Sequence, residues 1–155
     1  MGSRTRNLIT LDEMQAEAKD FVRNLNSDSL EPRHSATLVT LSGNLGAGKT
    51  TFTQFVAKEL GIEAVVNSPT FVLEKIYEIP ALGGNTKFTR LVHIDAYRLE
   101  SAVDLGVLGF DEIMNHPETL VLLEWPEKVP GIIDQATVRI SLELLPDNSR
   151  QITYA

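Results

Sequence analysis

The chain has 155 residues, of which 43% are apolar, and this is enough for one domain with a buried core. It contains no cysteine, which excludes disulfides and thiolate metal sites and fits a reducing compartment. Its net charge of -7 argues against a chain that grips nucleic acid by itself, because such binding depends on neutralising phosphates, although the acidity also fits a role in solubility alone. No apolar run reaches the roughly 18 residues of a membrane helix, and residues 1–7 carry no apolar signal region, so we expect a cytoplasmic protein without a membrane span.

An amphipathic helix is predicted near the start of the chain. Thr10 and Glu13 have the spacing of a capping box, in which the two side chains satisfy free amides of the first helical turn. The apolar residues that follow share one helical stripe: Leu11, Met14, Ala18, Phe21, Val22 and Leu25. The polar segment 26–35 then connects this helix to the next element.

A phosphate-binding loop is the most informative feature of the sequence. Residues 43–50 read G-N-L-G-A-G-K-T and match the pattern G-x-x-x-x-G-K-[ST]. A β-branched and aliphatic run, 36–41, precedes the loop, and a helical pattern, 51–60, follows it and stops at Gly61. Strand, loop and helix therefore stand in the order that a phosphate-binding loop requires. A glycine-rich turn that matched the pattern by chance would have no reason to be flanked in this way.

The residue types of this loop suit a bound nucleotide. Its glycines let backbone N–H groups turn toward an anion, and the helix N-terminus adds roughly half a positive charge. Lys49 can reach the β- and γ-phosphates, and the hydroxyl of Thr50 is placed to bind Mg²⁺.

A β-hairpin is predicted after the helix of the loop. The run 71–79 is rich in strand-forming residues, and Gly83, Gly84 and Asn85 form a turn signal that leads into 88–95. Such a hairpin implies antiparallel strands beside a parallel core.

The second half of the chain predicts further strands. A polar, weakly helical region, 99–115, is broken by Gly106 and Gly109, and 120–125 reads as a buried strand. The last apolar residues alternate onto one face before a turn at 146–149 leads back into 151–154: Val138, Ile140, Leu142 and Leu144. We therefore predict an α/β fold, a single-domain P-loop NTPase over residues 1–155 with a mixed parallel and antiparallel sheet flanked by helices.

Two apolar runs, 91–95 and 120–124, end in the acids Asp95 and Glu124. Each resembles a buried strand that delivers a carboxylate beside a Mg²⁺-binding loop. One acid would bind the metal or its water shell and the other would position or activate the attacking water, while a salt bridge or helix cap stays the alternative for either. His93 alternates with Asp95 and so shares its face, where a histidine is most often simply hydrogen-bonded.

The segment 68–71, S-P-T-F, places the hydroxyls of Ser68 and Thr70 around a proline, between the helix of the loop and the next strand. Many P-loop NTPases keep the segment that senses the γ-phosphate at this point. A turn capped by Ser68 fits the same residues.

Four motifs together resemble the TsaE (YjeE) family, bacterial P-loop ATPases needed to make threonylcarbamoyladenosine in tRNA. They occur in the order of the family, and the resemblance covers about residues 8–145. The motifs are GNLGAGKTT at 43–51, SPTF at 68–71, HIDAYR at 93–98 and LEWP at 123–126.

The resemblance implies roles for the matching residues. Thr50 and Glu124 would coordinate Mg²⁺, Asp95 would be a catalytically required acid beside Glu124, Thr70 would belong to a switch-like catalytic loop, and Trp125 would pack close to the site. ATP would be held by Asn44, Leu45, Gly46, Ala47, Gly48, Lys49, Thr50 and Thr51. Two positions depart from the family, which usually has Asp at position 44 and often Leu at position 96, where this chain has Asn44 and Ala96. Neither change removes a metal ligand.

Three functions remain open on the sequence. The resemblance favours a Mg²⁺-dependent ATPase that supports turnover of a heterodimer of TsaB and TsaD and contacts tRNA indirectly. A small-molecule kinase is the second, although the chain has no evident arginine-rich lid. The third is a nucleotide-dependent binding module with negligible turnover. Because no internal arginine finger is evident either, we expect hydrolysis by the isolated protein to be slow.

Overall fold

The computed structural model describes residues 2–27, 34–64, 66, 73–81 and 86–155. Over these residues the chain forms seven β-strands and four α-helices. In chain order they are β1 (Arg4–Leu8), α1 (Leu11–Ser27), β2 (Thr37–Ser42), α2 (Lys49–Glu59), β3 (Glu74–Glu78), β4 (Arg90–Asp95), α3 (Val103–Val107), α4 (Phe110–Met114), β5 (Thr119–Glu124), β6 (Val138–Leu144) and β7 (Arg150–Tyr154). No helix of these residues is long and apolar enough to cross a membrane.

All described strands belong to one sheet, in the order β1-β7-β6-β2-β5-β4-β3. The four central strands, β6, β2, β5 and β4, are parallel, and antiparallel strands extend the sheet at both edges. Central parallel strands are covered on both faces, which is why β5 reads as a continuous apolar run and is buried along its whole length. The predicted α/β fold with a mixed sheet flanked by helices is confirmed.

Two hydrophobic clusters lie on the two faces of the sheet. On one face, α1 and α2 pack over strand residues such as Leu41, Leu91 and Leu122. On the other face, α3 and α4 cover strand residues such as Val92 and Val121. Because side chains alternate along a strand, Asp95 and Glu124 point to the same side as Leu91 and Leu122, the side of α2.

The first helix begins with the predicted pair of Thr10 and Glu13, although the glutamate reaches the amide of Ile9, one residue before the amide that a capping box uses. The amide of Glu13 donates to Thr10 Oγ1 at 3.1 Å, and Glu13 Oε2 accepts from the amide of Ile9 at 2.7 Å. The predicted apolar stripe is buried except for Leu11, the first residue of the helix, which is exposed. Glu17 occupies the same buried stripe, although its side chain is acidic.

Strand β1 was not anticipated from the sequence. It pairs antiparallel with β7, and its two arginines, Arg4 and Arg6, form ion pairs with the buried carboxylate of Glu17. The hydroxyl of Tyr154 donates to the same carboxylate at 2.8 Å, and burial is the main cause that raises the pKa of this phenol. Glu17 therefore links β1 and β7, the two strands at this edge of the sheet, to α1.

The remaining elements follow the sequence with local shifts. Strands β3 and β4 form the predicted hairpin, whose turn at 83–85 lies outside the described residues. Helices α3 and α4 meet at Gly109, which has a left-handed φ of 74°, whereas Gly106 lies inside α3.

Strand β5 ends one residue earlier than predicted, because Trp125 has a left-handed φ of 60°. Strands β6 and β7 form the predicted C-terminal hairpin, in which Leu144 stays exposed.

Candidate active site

The phosphate-binding loop connects β2 to α2 at the carboxyl edge of the parallel strands, where α/β sheets hold their ligands. Gly43 has a φ of 146°, and a Cβ atom on it would overlap the backbone oxygen of Leu142 on β6. Gly46 and Gly48 have left-handed φ values of 83° and 107°. Glycine is thus required at Gly43 by both conformation and space, and at Gly46 and Gly48 by conformation.

Lys49 is the first residue of α2, and its side chain turns back over the loop. Its Nζ atom donates to the backbone oxygens of Gly43 at 2.5 Å and Asn44 at 3.1 Å. The same atom lies 4.3 Å from the centre of the Trp125 ring, a cation–π contact. The lysine is therefore held at the loop by main-chain carbonyls and one aromatic ring.

Two electrostatic effects act on the pKa of Lys49 in opposite directions. Burial lowers the pKa of its ammonium group, because a charge is less stable away from water. Glu124, Glu127 and Asp95 act in the other direction and favour the charged form. A bound polyanion would add to the second effect.

Asp95 and Glu124 end two neighbouring parallel strands and are partners in the register of β4 and β5. Both side chains are buried. The amide of Ala96 donates to the backbone oxygen of Glu124 at 3.0 Å, so the chains stay joined just beyond the strands. Asp95 Oδ1 accepts from the amide of Tyr97 at 2.9 Å, which orients this carboxylate. The two acids thus emerge side by side, as their positions in the sequence predicted.

The two carboxylate oxygens of Glu124 have different partners. Oε1 accepts from the hydroxyl of Thr50 at 3.3 Å, which joins the end of β5 to the start of α2. Oε2 lies 2.5 Å from Nε2 of His93, a side chain that is fully buried. Glu124 is therefore fixed from both sides.

A cleft of about 310 Å³ lies beside Thr50 and Glu124. It gathers most of the residues predicted for the site: Leu45, Gly46, Gly48, Lys49, Thr50, Thr51, Asp95 and Glu124. Asn44 contributes one of the two carbonyls that accept from Lys49, and Ala47 is a buried residue of the loop. Thr70, with the rest of the motif at 68–71, lies outside the described residues.

Arg150 also lines the cleft and was missed by the sequence analysis. It is the first residue of β7, and its Nη2 donates to the backbone oxygen of Gly46 at 3.4 Å, while Nη1 donates to the oxygen of Asn148 at 2.8 Å. One signal could have found it. Because β6 runs parallel to β2, the turn after β6 must lie at the same sheet edge as the phosphate-binding loop.

The donor set of the cleft fits Mg²⁺ that arrives with a nucleotide. Thr50 and Glu124 bring two oxygen atoms together, and Mg²⁺ prefers oxygen ligands while keeping several waters and phosphate oxygens. Within the described part of the chain, no group of three or more His, Asp or Glu side chains could hold a metal ion without such help.

Comparison with known proteins identifies the family. The family model described as "Threonylcarbamoyl adenosine biosynthesis protein TsaE" matches residues 9–152. The chain belongs to the TsaE family. It is 38% identical to the tRNA threonylcarbamoyladenosine biosynthesis protein TsaE of Bacillus subtilis strain 168, over 76% of this chain and 68% of that protein. The TsaE proteins of Treponema pallidum and Rickettsia prowazekii are 38% and 35% identical, over 77% and 86% of this chain and 82% and 85% of theirs.

A solved structure has a similar fold. The crystal structure of Bacillus subtilis YdiB matches this structure with a TM-score of 0.68 and 29% sequence identity. The match covers 99% of this chain and 84% of that chain. The resemblance drawn from the four sequence motifs is therefore confirmed.

Proposed function

We propose that this member of the TsaE family is a Mg²⁺-dependent ATPase that supports the turnover of a TsaB–TsaD heterodimer in tRNA threonylcarbamoyladenosine synthesis. The observation that carries the proposal is the meeting of Lys49, Thr50, Asp95 and Glu124 in one cleft beside a glycine-dependent loop. The names of the relatives support the pathway. We further propose that residues 1–155 act as one P-loop ATPase domain, in the cytoplasm, and that tRNA is contacted through the partners.

The loop would hold the phosphates of ATP through its backbone amides and Lys49. The ammonium group of Lys49 now donates to two backbone oxygens, which are weaker partners than phosphate oxygens. On binding, Lys49 would exchange these carbonyls for the β- and γ-phosphates. Its burial strengthens that contact, because a charge pair is screened less away from water.

Thr50 and Glu124 are the residues that would hold Mg²⁺, through the hydroxyl and the Oε1 atom that already face each other. When bound, the metal neutralises charge on the phosphates. The chain supplies the orientation, because α2 fixes Thr50 and the central strand β5 fixes Glu124.

Asp95 would orient the attacking water. Its carboxylate lines the cleft, and the amide of Tyr97 fixes one of its oxygens. Attack of the water oxygen on the γ-phosphorus would break the bond to the bridging oxygen and release ADP and phosphate. Thr70 is the proposed member of the switch-like loop that completes the site.

Phosphate release tests the proposal directly. The purified protein with ATP and Mg²⁺ should release phosphate, and the TsaB–TsaD heterodimer should increase the rate, while the Lys49→Ala variant should stay inactive in both conditions. Phosphate release that is absent in every condition would favour a binding module. Phosphoryl transfer to an added metabolite, detected by mass spectrometry, would instead favour a kinase.

A further inference from the structure

We propose that His93 is a positioning residue for Glu124, and that its Nε2–H group holds one carboxylate oxygen so that the other one faces Thr50 and the cleft. The effect of this hydrogen bond on Mg²⁺ binding rests on the proposed function. The hydrogen bond itself rests on the structure alone.

The contact is buried on every side. His93 lies in the middle of β4 with 0% of its surface exposed, and its Nε2 atom lies 2.5 Å from Glu124 Oε2. Glu124 is 2% exposed. A hydrogen bond to a charged acceptor in such surroundings is stronger than one in water.

The partners of His93 select one tautomer. An ionised carboxylate only accepts hydrogen bonds, so the proton of the contact belongs to Nε2. The Nδ1 atom is buried, and among the described residues no acceptor is available for a proton on it. A neutral ring carries a single ring proton, and Nε2 is the position where this proton has an acceptor.

This tautomer determines how Glu124 faces the cleft. The terminal torsion of a glutamate is broad and roughly two-fold, so a carboxylate without fixed partners turns freely. Here Oε2 is occupied by His93, and Oε1 is left to the Thr50 hydroxyl. Loss of the Nε2–H donor would free the carboxylate and leave Oε2 buried without its partner, which is costly.

The first test compares His93→Leu with His93→Gln by titrating a fluorescent, non-hydrolysable ATP analogue with and without Mg²⁺. Removal of a partner that orients a metal ligand costs about 10- to 100-fold in metal affinity. We expect His93→Leu to lose a factor of this size from the Mg²⁺-dependent part of nucleotide affinity, and to keep its Mg²⁺-free affinity. His93→Gln should recover most of the loss, because its amide can donate from a similar position.

The exposed residue His116 gives the matched control. His116→Leu and His116→Gln should both keep the parent response to Mg²⁺. The positioning role is overturned if a folded His93→Leu variant keeps the full Mg²⁺ effect, or if folded Leu and Gln variants lose it equally. A parent protein whose nucleotide binding ignores Mg²⁺ would instead refute the proposed function.

The second test needs neither nucleotide nor a stable Leu variant. Long-range ¹H–¹⁵N NMR spectra of the ¹⁵N-labelled parent protein report which ring nitrogen of each of its three histidines carries a proton. The His93 signals are those missing from the His93→Gln spectrum. We expect a protonated Nε2 and a bare Nδ1, and an Nε2 without a proton would overturn the contact even where the ATPase proposal stands.

Discussion

The ammonium nitrogen of Lys49 lies 4.3 Å from the centre of the Trp125 ring, and the ring of Tyr97 packs 5.0 Å from the same tryptophan. Trp125 is the single tryptophan of the chain. Its indole therefore lies beside the residue that we expect to move first when phosphate binds.

Nucleotide binding should change the fluorescence of Trp125, because Lys49 would exchange the aromatic ring and two carbonyls for phosphate oxygens. The measurement is an emission titration with ATP and with ADP, checked against affinities from calorimetry. The Lys49→Ala variant serves as the control and should start from altered emission and respond little. Unchanged emission at saturation would contradict the movement of Lys49.

Lys49→Ala should abolish productive ATP binding and turnover without unfolding the protein. The side chain of Lys49 is buried, and this burial lowers the pKa of its ammonium group. Because burial already disfavours this charge, its removal should leave the protein folded, although two backbone carbonyls lose their donor and the melting temperature should fall modestly. Lys58→Ala, at an exposed position of the same helix, is the control for calorimetry and thermal melting. Equal activity of the Lys49→Ala variant and the parent would contradict the assignment of residues 43–50 as a phosphate-binding loop.

Glu124→Ala and Asp95→Asn should both suppress hydrolysis but differ in binding. Glu124 faces the Thr50 hydroxyl, so its loss should weaken Mg²⁺-dependent nucleotide binding more. Asp95→Asn keeps the shape of a side chain that the Tyr97 amide orients, so binding should persist while phosphate release falls. A Mg²⁺ titration of both variants decides the matter, and a larger loss of Mg²⁺ affinity in Asp95→Asn would reverse the two roles.

Arg150→Ala should weaken nucleotide binding or turnover, because the guanidinium group lines the cleft beside Gly46. Hydrogen bonds to charged groups contribute about 1.5–3 kcal/mol, so the loss in affinity or rate should be about tenfold or more. Arg139→Ala is the control, since the guanidinium of Arg139 forms a long surface ion pair with Asp134 at 3.8 Å and does not line the cleft. If both variants behave like the parent in steady-state and binding assays, Arg150 only stabilises the loop.

The isolated protein should hydrolyse ATP slowly, on the order of one turnover per minute or less, as unassisted P-loop enzymes do. The proposed partners TsaB and TsaD should stimulate it strongly, since an arginine supplied by a partner contributes about 10³ to 10⁵ in rate. Phosphate release with and without the heterodimer is the measurement. A fast isolated enzyme that ignores the partners would contradict this expectation.

Binding of free tRNA by the isolated chain should be weak, because a net charge of -7 gains little free energy from counterion release. Gel-shift or anisotropy assays at two salt concentrations can measure it. Tight binding that falls steeply with salt would show direct contact instead of contact through the partners.

The sequence predicted those parts of the fold that depend on local pattern. The loop at 43–50 and helix α1 carry their own signals in consecutive residues, namely glycine spacing, a capping box and a helical stripe. The acids Asp95 and Glu124 could be paired because parallel strands bring their carboxyl ends to one edge.

Residues that depend on distant partners could not be predicted in the same way. Strand β1, with the sequence R-T-R-N-L, has no strand pattern of its own and exists through its pairing with β7 at the other end of the chain. Arg150 reaches the loop from 104 residues away. The contact of His93 with Glu124 depends on the register of β4 and β5, which one sequence does not reveal.

The register of β4 and β5 also ties the proposed catalysis to the stability of the whole molecule. Asp95 and Glu124 are neighbours only while β4 and β5 stay paired, and each of these strands has another strand on both sides, so neither has an exposed edge from which to open. Amides in such strands exchange their hydrogens only when the protein unfolds globally. On heating, therefore, the acids should keep their mutual position up to the melting temperature, and activity should disappear together with the native sheet.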